Sequence, residues 1–251
     1  MASRLRTMKP QALLLVGIVG ALVPSCAPVP MENGIPVSRG AIIPEPRARV
    51  VFVHGIFQHG GVSFGTLRHR LESQGIACYA PTLTPRDARN GLVDQAHQLK
   101  QGIDREFGPR ERITLVGFSL GGLVARYYLQ ELGGASRCDA LYTVATPHQG
   151  TQAAWLYFGQ GSRDLLPRSD FLKNLDKTAD RLGDMPLVSY RSPYDLAILP
   201  TNHAEWDRAE NHTAPVLIHP MLTRSPRVID DLERRIVNAI ESKAPRTKRS
   251  R

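Results

Sequence analysis

Ser119 stands in the segment Ile113-Thr114-Leu115-Val116-Gly117-Phe118-Ser119-Leu120-Gly121-Gly122, where an apolar, β-branched run gives way to GxSxG and then to the helical spacing Leu123, Tyr127, Leu132. A serine at such a junction is built for nucleophilic attack on an acyl carbon. The turn from strand to helix is so tight that the residues two before and two after the serine must lack bulk, hence Gly117 and Gly121. The hydroxyl is then left exposed at the carboxyl end of the strand. There the amino end of the next helix offers a positive dipole and free N–H groups to a developing oxyanion. The bare pattern carries little weight; its place at the joint of a strand and a helix singles it out, the alternative being a glycine-rich helix start.

A serine nucleophile needs a second oxyanion donor, a base and an orienting carboxylate. The run Val50-Val51-Phe52-Val53-His54-Gly55-Ile56 ends in His-Gly, and Gly55 lets the loop pass close enough to aim the Ile56 N–H at a substrate carbonyl. His54 precedes the nucleophile at a strand end and reads as a loop brace, and His148, also at a strand end, as structural or substrate-lining. His203, His212 and His219 all follow Ser119. His219 is favoured as the base because it falls between the last strand expected, at 214–218, and a final helix at 226–240. For the carboxylate, Asp195 follows the strand ending at Arg191; Asp207 is the reserve, and Asp184 precedes that strand.

Short apolar runs alternating with amphipathic stretches are the signature of βαβ units and a parallel sheet. Strands are expected at 49–53, 76–79, 113–117, 140–145, 187–191 and 216–218. Helical stripes run through Phe64, Leu67 and Leu71, through Leu92, Ala96, Leu99 and Ile103, and through Val228, Leu232, Ile236 and Ile240. The stretch 147–185 reads as one insertion between two strands. Its Trp155, Leu156, Tyr157 and Phe158 are unusually apolar for a connection.

The formal charge of +9 in 251 residues invites a nucleic-acid reading until it is placed along the chain. Arg4, Arg6 and Lys9 precede an apolar run, and Lys243, Arg246, Lys248, Arg249 and Arg251 crowd the other end. Setting these aside leaves 24 basic against 23 acidic residues. The body is nearly neutral, so no nucleic-acid partner is expected and the tail 242–251 reads as solvated and disordered.

Residues 1–26 read as an export signal: a cationic start, an apolar stretch at 12–23, then small residues around a cysteine. That stretch is short of the roughly 20 residues a bilayer span needs. Val23-Pro24-Ser25-Cys26 resembles a bacterial lipobox, although Pro24 departs from the pattern. Lipidation of Cys26 would tie the exported protein to the cell envelope; without it the product would be secreted, and an uncleaved anchor is the remaining alternative. A Pro-rich lead-in follows at 27–46, and the folded domain is expected over 47–241. Cys78 and Cys138 fall on strands separated by two others, roughly 14 Å apart at ordinary strand spacing. A disulfide cannot reach that far.

Together VVFVHGIF (50–57), GFSLGG (117–122), TPHQGT (146–151), SPYDLAILP (192–200) and HPMLTRSPRV (219–228) resemble a small bacterial triacylglycerol lipase or esterase of the α/β-hydrolase superfamily. The resemblance implies a Ser-His-Asp triad of Ser119, His219 and Asp195, with Ile56 and Leu120 as oxyanion donors and no cofactor. About twenty residues between the signal and the first strand leave no room for the two leading strands of the full-size fold. The fold class expected is therefore α/β, a minimal α/β-hydrolase with a mainly parallel six-stranded sheet and helices on both faces. Where the family usually has glycine before its histidine, Ile218 stands here. The segment 152–182 resembles a lid or acyl pocket, the alternative being a helix packed as ordinary core. No HExxH, clustered Cys/His or acidic calcium loop occurs, so no catalytic metal is expected. The function implied is cleavage of carboxylic esters, lipids foremost, through an acyl-enzyme. An acyltransferase, a phospholipase or a lipid-anchor deacylase would use the same triad, and a binding module without turnover is the reading from another class.

Overall fold

A computed structural model describes residues 45–243 and, ahead of them, two short strands, β1 (Met31–Glu32) and β2 (Ile35–Pro36), which pair antiparallel within a separate unit. The export segment and the end of the basic tail lie outside the described residues. Within the main unit six strands form one sheet: β3 (Arg49–Val53), β4 (Ala77–Tyr79), β5 (Ile113–Phe118), β6 (Cys138–Val144), β7 (Leu187–Arg191) and β8 (Glu210–Thr213). Their order is β4-β3-β5-β6-β7-β8, and every neighbouring pair is parallel.

Parallel neighbours require a crossover between strands, and the amphipathic stretches supply it. Helix α1 (Gly65–Glu72) links β3 to β4, α2 (Leu92–Phe107) links β4 to β5, and α3 (Leu120–Glu131) links β5 to β6. The insertion between β6 and β7 folds into short turns with α4 (Gln160–Leu165) and α5 (Asp170–Lys177); α6 (Pro226–Lys243) follows β8. Among the described residues no helix is long and apolar enough to cross a membrane.

Period-two alternation sends successive strand residues to opposite faces. Val51, Val53 and Leu115 pack with Leu99 and Ile103 of α2, Leu123 of α3 and Leu175 of α5. Val50, Phe52 and Val116 pack on the other face with Leu67 and Leu71 of α1 and Leu232 and Ile236 of α6. Helices thus cover both faces, as the sequence leads one to expect. Cys78 on β4 and Cys138 on β6 are separated by β3 and β5, and both are unpaired. Burial pushes both thiols up to about 12, so they are inert as nucleophiles at neutral pH.

One expected strand is misplaced. Residues 216–218 form no strand; the sixth is β8, the polar run Glu210-Asn211-His212-Thr213, paired with Val188 to Arg191 on β7. An edge strand has a single neighbour and does not need apolar side chains, so hydrophobicity does not reveal it. Leu217 and Ile218 are exposed, and the Val216 amide is bound outside the ladder by the Ser192 hydroxyl.

Candidate active site

At the end of β5 the chain turns through Ser119 with φ 55° and ψ −129° and enters α3 at Leu120. The glycines around it answer close backbone approaches. A Cβ on Gly117 would lie 2.5 Å from Gly122 Cα, and one on Gly121 would lie 2.5 Å from the carbonyl oxygens of Val53 and His54. Gly122, which sequence reasoning did not single out, faces Thr146 in the same way, at 2.1 Å from Oγ1. The Ser119 N–H donates to Val144 O at 2.9 Å, and the Gly122 N–H to Ser119 O at 3.1 Å, which pins the turn between two strand ends.

Gly55 brings the loop after β3 against this turn. A Cβ there would stand 2.7 Å from the Phe118 ring and 3.1 Å from Ser119 Cβ, so only glycine lets the Gly55-Ile56 peptide lie beside the serine. His54 braces the loop. The Leu83 N–H donates to His54 Nε2 at 2.9 Å, which places the proton on Nδ1, and Nδ1 donates to Gly55 O at 2.8 Å. Burial holds its imidazole below the usual range, hence neutral. Among the described residues neither the Ile56 nor the Leu120 N–H has an acceptor, and Leu120 opens a helix, where the dipole favours negative charge.

Asp195 and His219 meet. His219 Nδ1 lies 2.6 Å from Asp195 Oδ2, and Asp195 Oδ1 accepts the Ala197 N–H at 2.9 Å. The carboxylate is buried, with 2% of its side chain exposed, against 16% for the imidazole. The His219 ring packs on Phe118, centroids 4.8 Å apart, which sets it against the residue before Ser119. With Nδ1 engaged, Nε2 is the nitrogen left for proton transfer. Ser119 Oγ and His219 Nε2 do not bond to each other in this structure, and such bonds are often long or misaligned until substrate is in place. Among the described residues no three His, Cys, Asp or Glu side chains gather as metal ligands would.

Ser192, which sequence reasoning missed, locks the two carrier loops together. Its hydroxyl donates to Val216 O at 2.6 Å and accepts the Val216 and Tyr194 N–H groups, each at 3.1 Å. The turn bearing Asp195 is thereby tied to the segment that leads to His219. The sequence signal is a serine two residues before a backbone N–H in a turn, a pattern too common to stand out.

The other candidates lie elsewhere. His212 is on edge strand β8 between Glu210 and Arg235, and His203 Nδ1 is held by Gly150 O at 2.8 Å. Asp184 and Asp207 are exposed. His148 is structural: it stacks on Trp206, bonds Thr143 Oγ1 and the buried Arg126, and is kept neutral chiefly by burial. In the insertion Trp155, Leu156 and Phe158 are exposed while Phe171 and Leu172 are buried, so the aromatic cluster is not ordinary core.

The structure resembles a crystal structure of mature Bacillus licheniformis lipase BlEst2, with TM-score 0.58 and 16% identity over 76% of this chain and 91% of that one. It also resembles Paleococcus ferrophilus monoacylglycerol lipase, with TM-score 0.57 and 18% identity over 79% and 96% of the two chains. At such identities the likeness concerns the fold. A curated relative, GPI inositol-deacylase of Candida albicans, is 31% identical over 119 residues, which are 45% of this chain and 25% of that protein. The chain thus spans about a quarter of that relative's length. The family model described as "Alpha/beta hydrolase family" matches residues 50–246, from the first core strand through the last helix. With that match laid over the serine turn and the parallel sheet, the chain belongs to the alpha/beta hydrolase family.

Proposed function

We propose that the protein hydrolyses carboxylic esters of lipids, with Ser119 as nucleophile, His219 as base and Asp195 as the group that orients it. The observation that carries this reading is the buried 2.6 Å pair of Asp195 and His219, set against the strained turn that presents Ser119. His219 Nε2 takes the Ser119 proton as Oγ attacks the ester carbonyl carbon. The Ile56 and Leu120 N–H groups hold the oxyanion, and Asp195 stabilises the imidazolium. Collapse of the tetrahedral adduct expels the alcohol, which takes the proton from His219. Water then attacks the acyl-enzyme by the same route, releasing the acid and restoring the serine hydroxyl. Turnover requires a neutral imidazole.

The lipase neighbours and the deacylase relative support an ester substrate with a lipid part. The same relative favours one narrower reading, removal of an acyl group from an inositol-containing lipid anchor. Ser119→Ala is expected to abolish hydrolysis of a nitrophenyl ester series while leaving thermal unfolding nearly unchanged; retained turnover would contradict the assignment. Within that series, preference for long chains supports a lipid substrate. Comparing acylated inositol phospholipid with a simple acylglycerol separates the narrower reading from the broader one.

A further inference from the structure

Arg126 is fully buried in α3, about 10 Å along the helix from Ser119, and takes no part in the chemistry proposed above. Burial lowers its guanidinium to about 10, so it stays charged at neutral pH. A buried charge needs partners. Besides Gln130 of the same helix, they are Asp176 of α5, whose Oδ1 accepts from Nη2 at 3.3 Å, His148, whose Nδ1 lies 3.4 Å from Nη1, and the Trp206 ring, 4.4 Å from the guanidinium carbon to its centroid. Asp176, His148 and Trp206 form one wall of a hollow of about 500 Å³ on the face of the sheet that α3 and α5 cover. That volume lies in the range of small-molecule sites, roughly 300–1,000 Å³.

The wall holds a donor without a use. Trp206 is 6% exposed; its Nε1–H has no acceptor among the described residues and is not sealed from solvent, so it opens into the hollow that the residue lines. An unbonded N–H in so buried a ring costs free energy that a ligand acceptor would recover. Stacking on His148, with centroids 4.6 Å apart, fixes the plane of the indole. Both nitrogens of that histidine are already engaged, by Thr143 and by Arg126.

Four carboxylates border the same hollow. Asp176 is paired with Arg126, Asp180 with Arg208 at 2.9 Å, and Glu205 with Arg191 at 2.6 Å, which leaves Asp207 without a cation among the described residues. The pairing cancels most of the charge and occupies one oxygen of each partner. Asp176 Oδ2, Asp180 Oδ2 and Glu205 Oε2 stay free to accept. The exposed Gln149 amide stands beside them. An anion would meet four carboxylates here, and a simple cation would find one uncompensated charge. A neutral ligand with several hydroxyls suits the whole wall, because a hydroxyl both donates to carboxylate oxygens and accepts from an indole N–H.

We propose that this hollow binds a neutral hydroxyl-rich group, a sugar or a cyclitol, held by the Asp176 and Glu205 carboxylates, the Gln149 amide and the Trp206 N–H. Gln149 and Asp176 also border a second hollow of about 710 Å³, which gives a longer ligand of the same kind room to continue. The site stands without the ester-hydrolase reading, and its occupancy is read without turnover.

The experiment uses the full chain carrying Trp155→Phe, so that Trp206 is the one tryptophan left to report. It is titrated separately with myo-inositol, methyl α-glucopyranoside and methyl α-mannopyranoside, with calorimetry in parallel. The expected result is a saturable change in Trp206 emission with at least one of the three, at the affinity that calorimetry gives; which of them responds separates cyclitol from sugar. Asp176→Asn should weaken binding about tenfold and Gln149→Ala about threefold. Asp176→Asn removes the counter-ion of Arg126, so a thermal melt accompanies it. Gln149 is exposed and its amide makes one bond, at 3.5 Å to Glu205 O, so its variant decides if the other fails to fold. Tetramethylammonium chloride and inorganic phosphate should leave the emission unchanged. No response to any of the three polyols overturns the proposal, as does binding undiminished in every folded variant. A response to tetramethylammonium or to phosphate equal to that of the polyols would mark a site for charge and overturns it as well.

Discussion

At Ser119 the backbone takes a φ of 55°, a region that a residue with a side chain keeps only where its neighbours impose it. Here they do, through the Val144 carbonyl and the glycines that admit it. The same logic places His219, whose Nδ1 is committed to a carboxylate with no other mobile partner. Asp195→Asn keeps the shape and reverses the hydrogen-bond polarity, so kcat should fall by about 10⁴ with the fold intact; steady-state kinetics beside a thermal melt checks this. Ser192→Ala leaves two N–H groups without their acceptor and should cost about 1–3 kcal/mol in urea unfolding. As a positioning residue it should lower kcat more than it raises KM, and Ser192→Thr should restore part of the loss. Equal loss of stability without a change in kcat would mark Ser192 as structural only.

At the level of elements, the serine turn depends on α3 lying nearly in contact with the end of β6. Gly122→Ala would drive a methyl into Thr146, a fully buried residue whose Oγ1 has no hydrogen-bond partner. The change should destabilise by about 1–3 kcal/mol, and Thr146→Ala in the same chain should recover much of it, read as a double-mutant cycle in denaturant. The four inner strands were legible in the sequence because strands buried on both faces are largely apolar, as Val50 to Val53 and Leu115 to Phe118 are, and the edge strand β4 was legible through its own short apolar run, Ala77 to Tyr79. The other edge strand, at Glu210–Thr213, was not, since only backbone pairing identifies it. Ser119 and Asp195 each follow a strand-ending run, as expected; His219 was reached through a strand expected at 216–218 that the structure lacks, yet the structure brings it to Asp195. Gly122 and Ser192 were not, because their importance lies in one close approach and one three-way hydroxyl that spacing does not encode.

The whole molecule contains buried imidazoles that resist charging. His148 is held well below its ordinary 6.5, first by burial and then by the Arg126 guanidinium, and burial also lowers His54. A depressed histidine means that the unfolded chain binds the proton first. Its contribution is therefore complete above pH 6.5 and is lost as the pH falls from there toward the folded value. Unfolding free energy should decline on that limb by up to about 1.4 kcal/mol per pH unit for each such histidine. His148→Gln should flatten the slope by one proton's share even where it lowers stability at pH 8; an unchanged slope would assign the acid limb to other groups.

The central claim is that one serine, and no other side chain, is made nucleophilic by the Asp195–His219 pair. Reaction of the folded protein with a fluorophosphonate, followed by intact mass and peptide mapping, tests it most directly. A single adduct is expected on the peptide bearing Ser119, missing in Ser119→Ala and slowed by orders of magnitude in His219→Ala. An unmodified protein, an adduct on another residue, or labelling indifferent to His219 would contradict it.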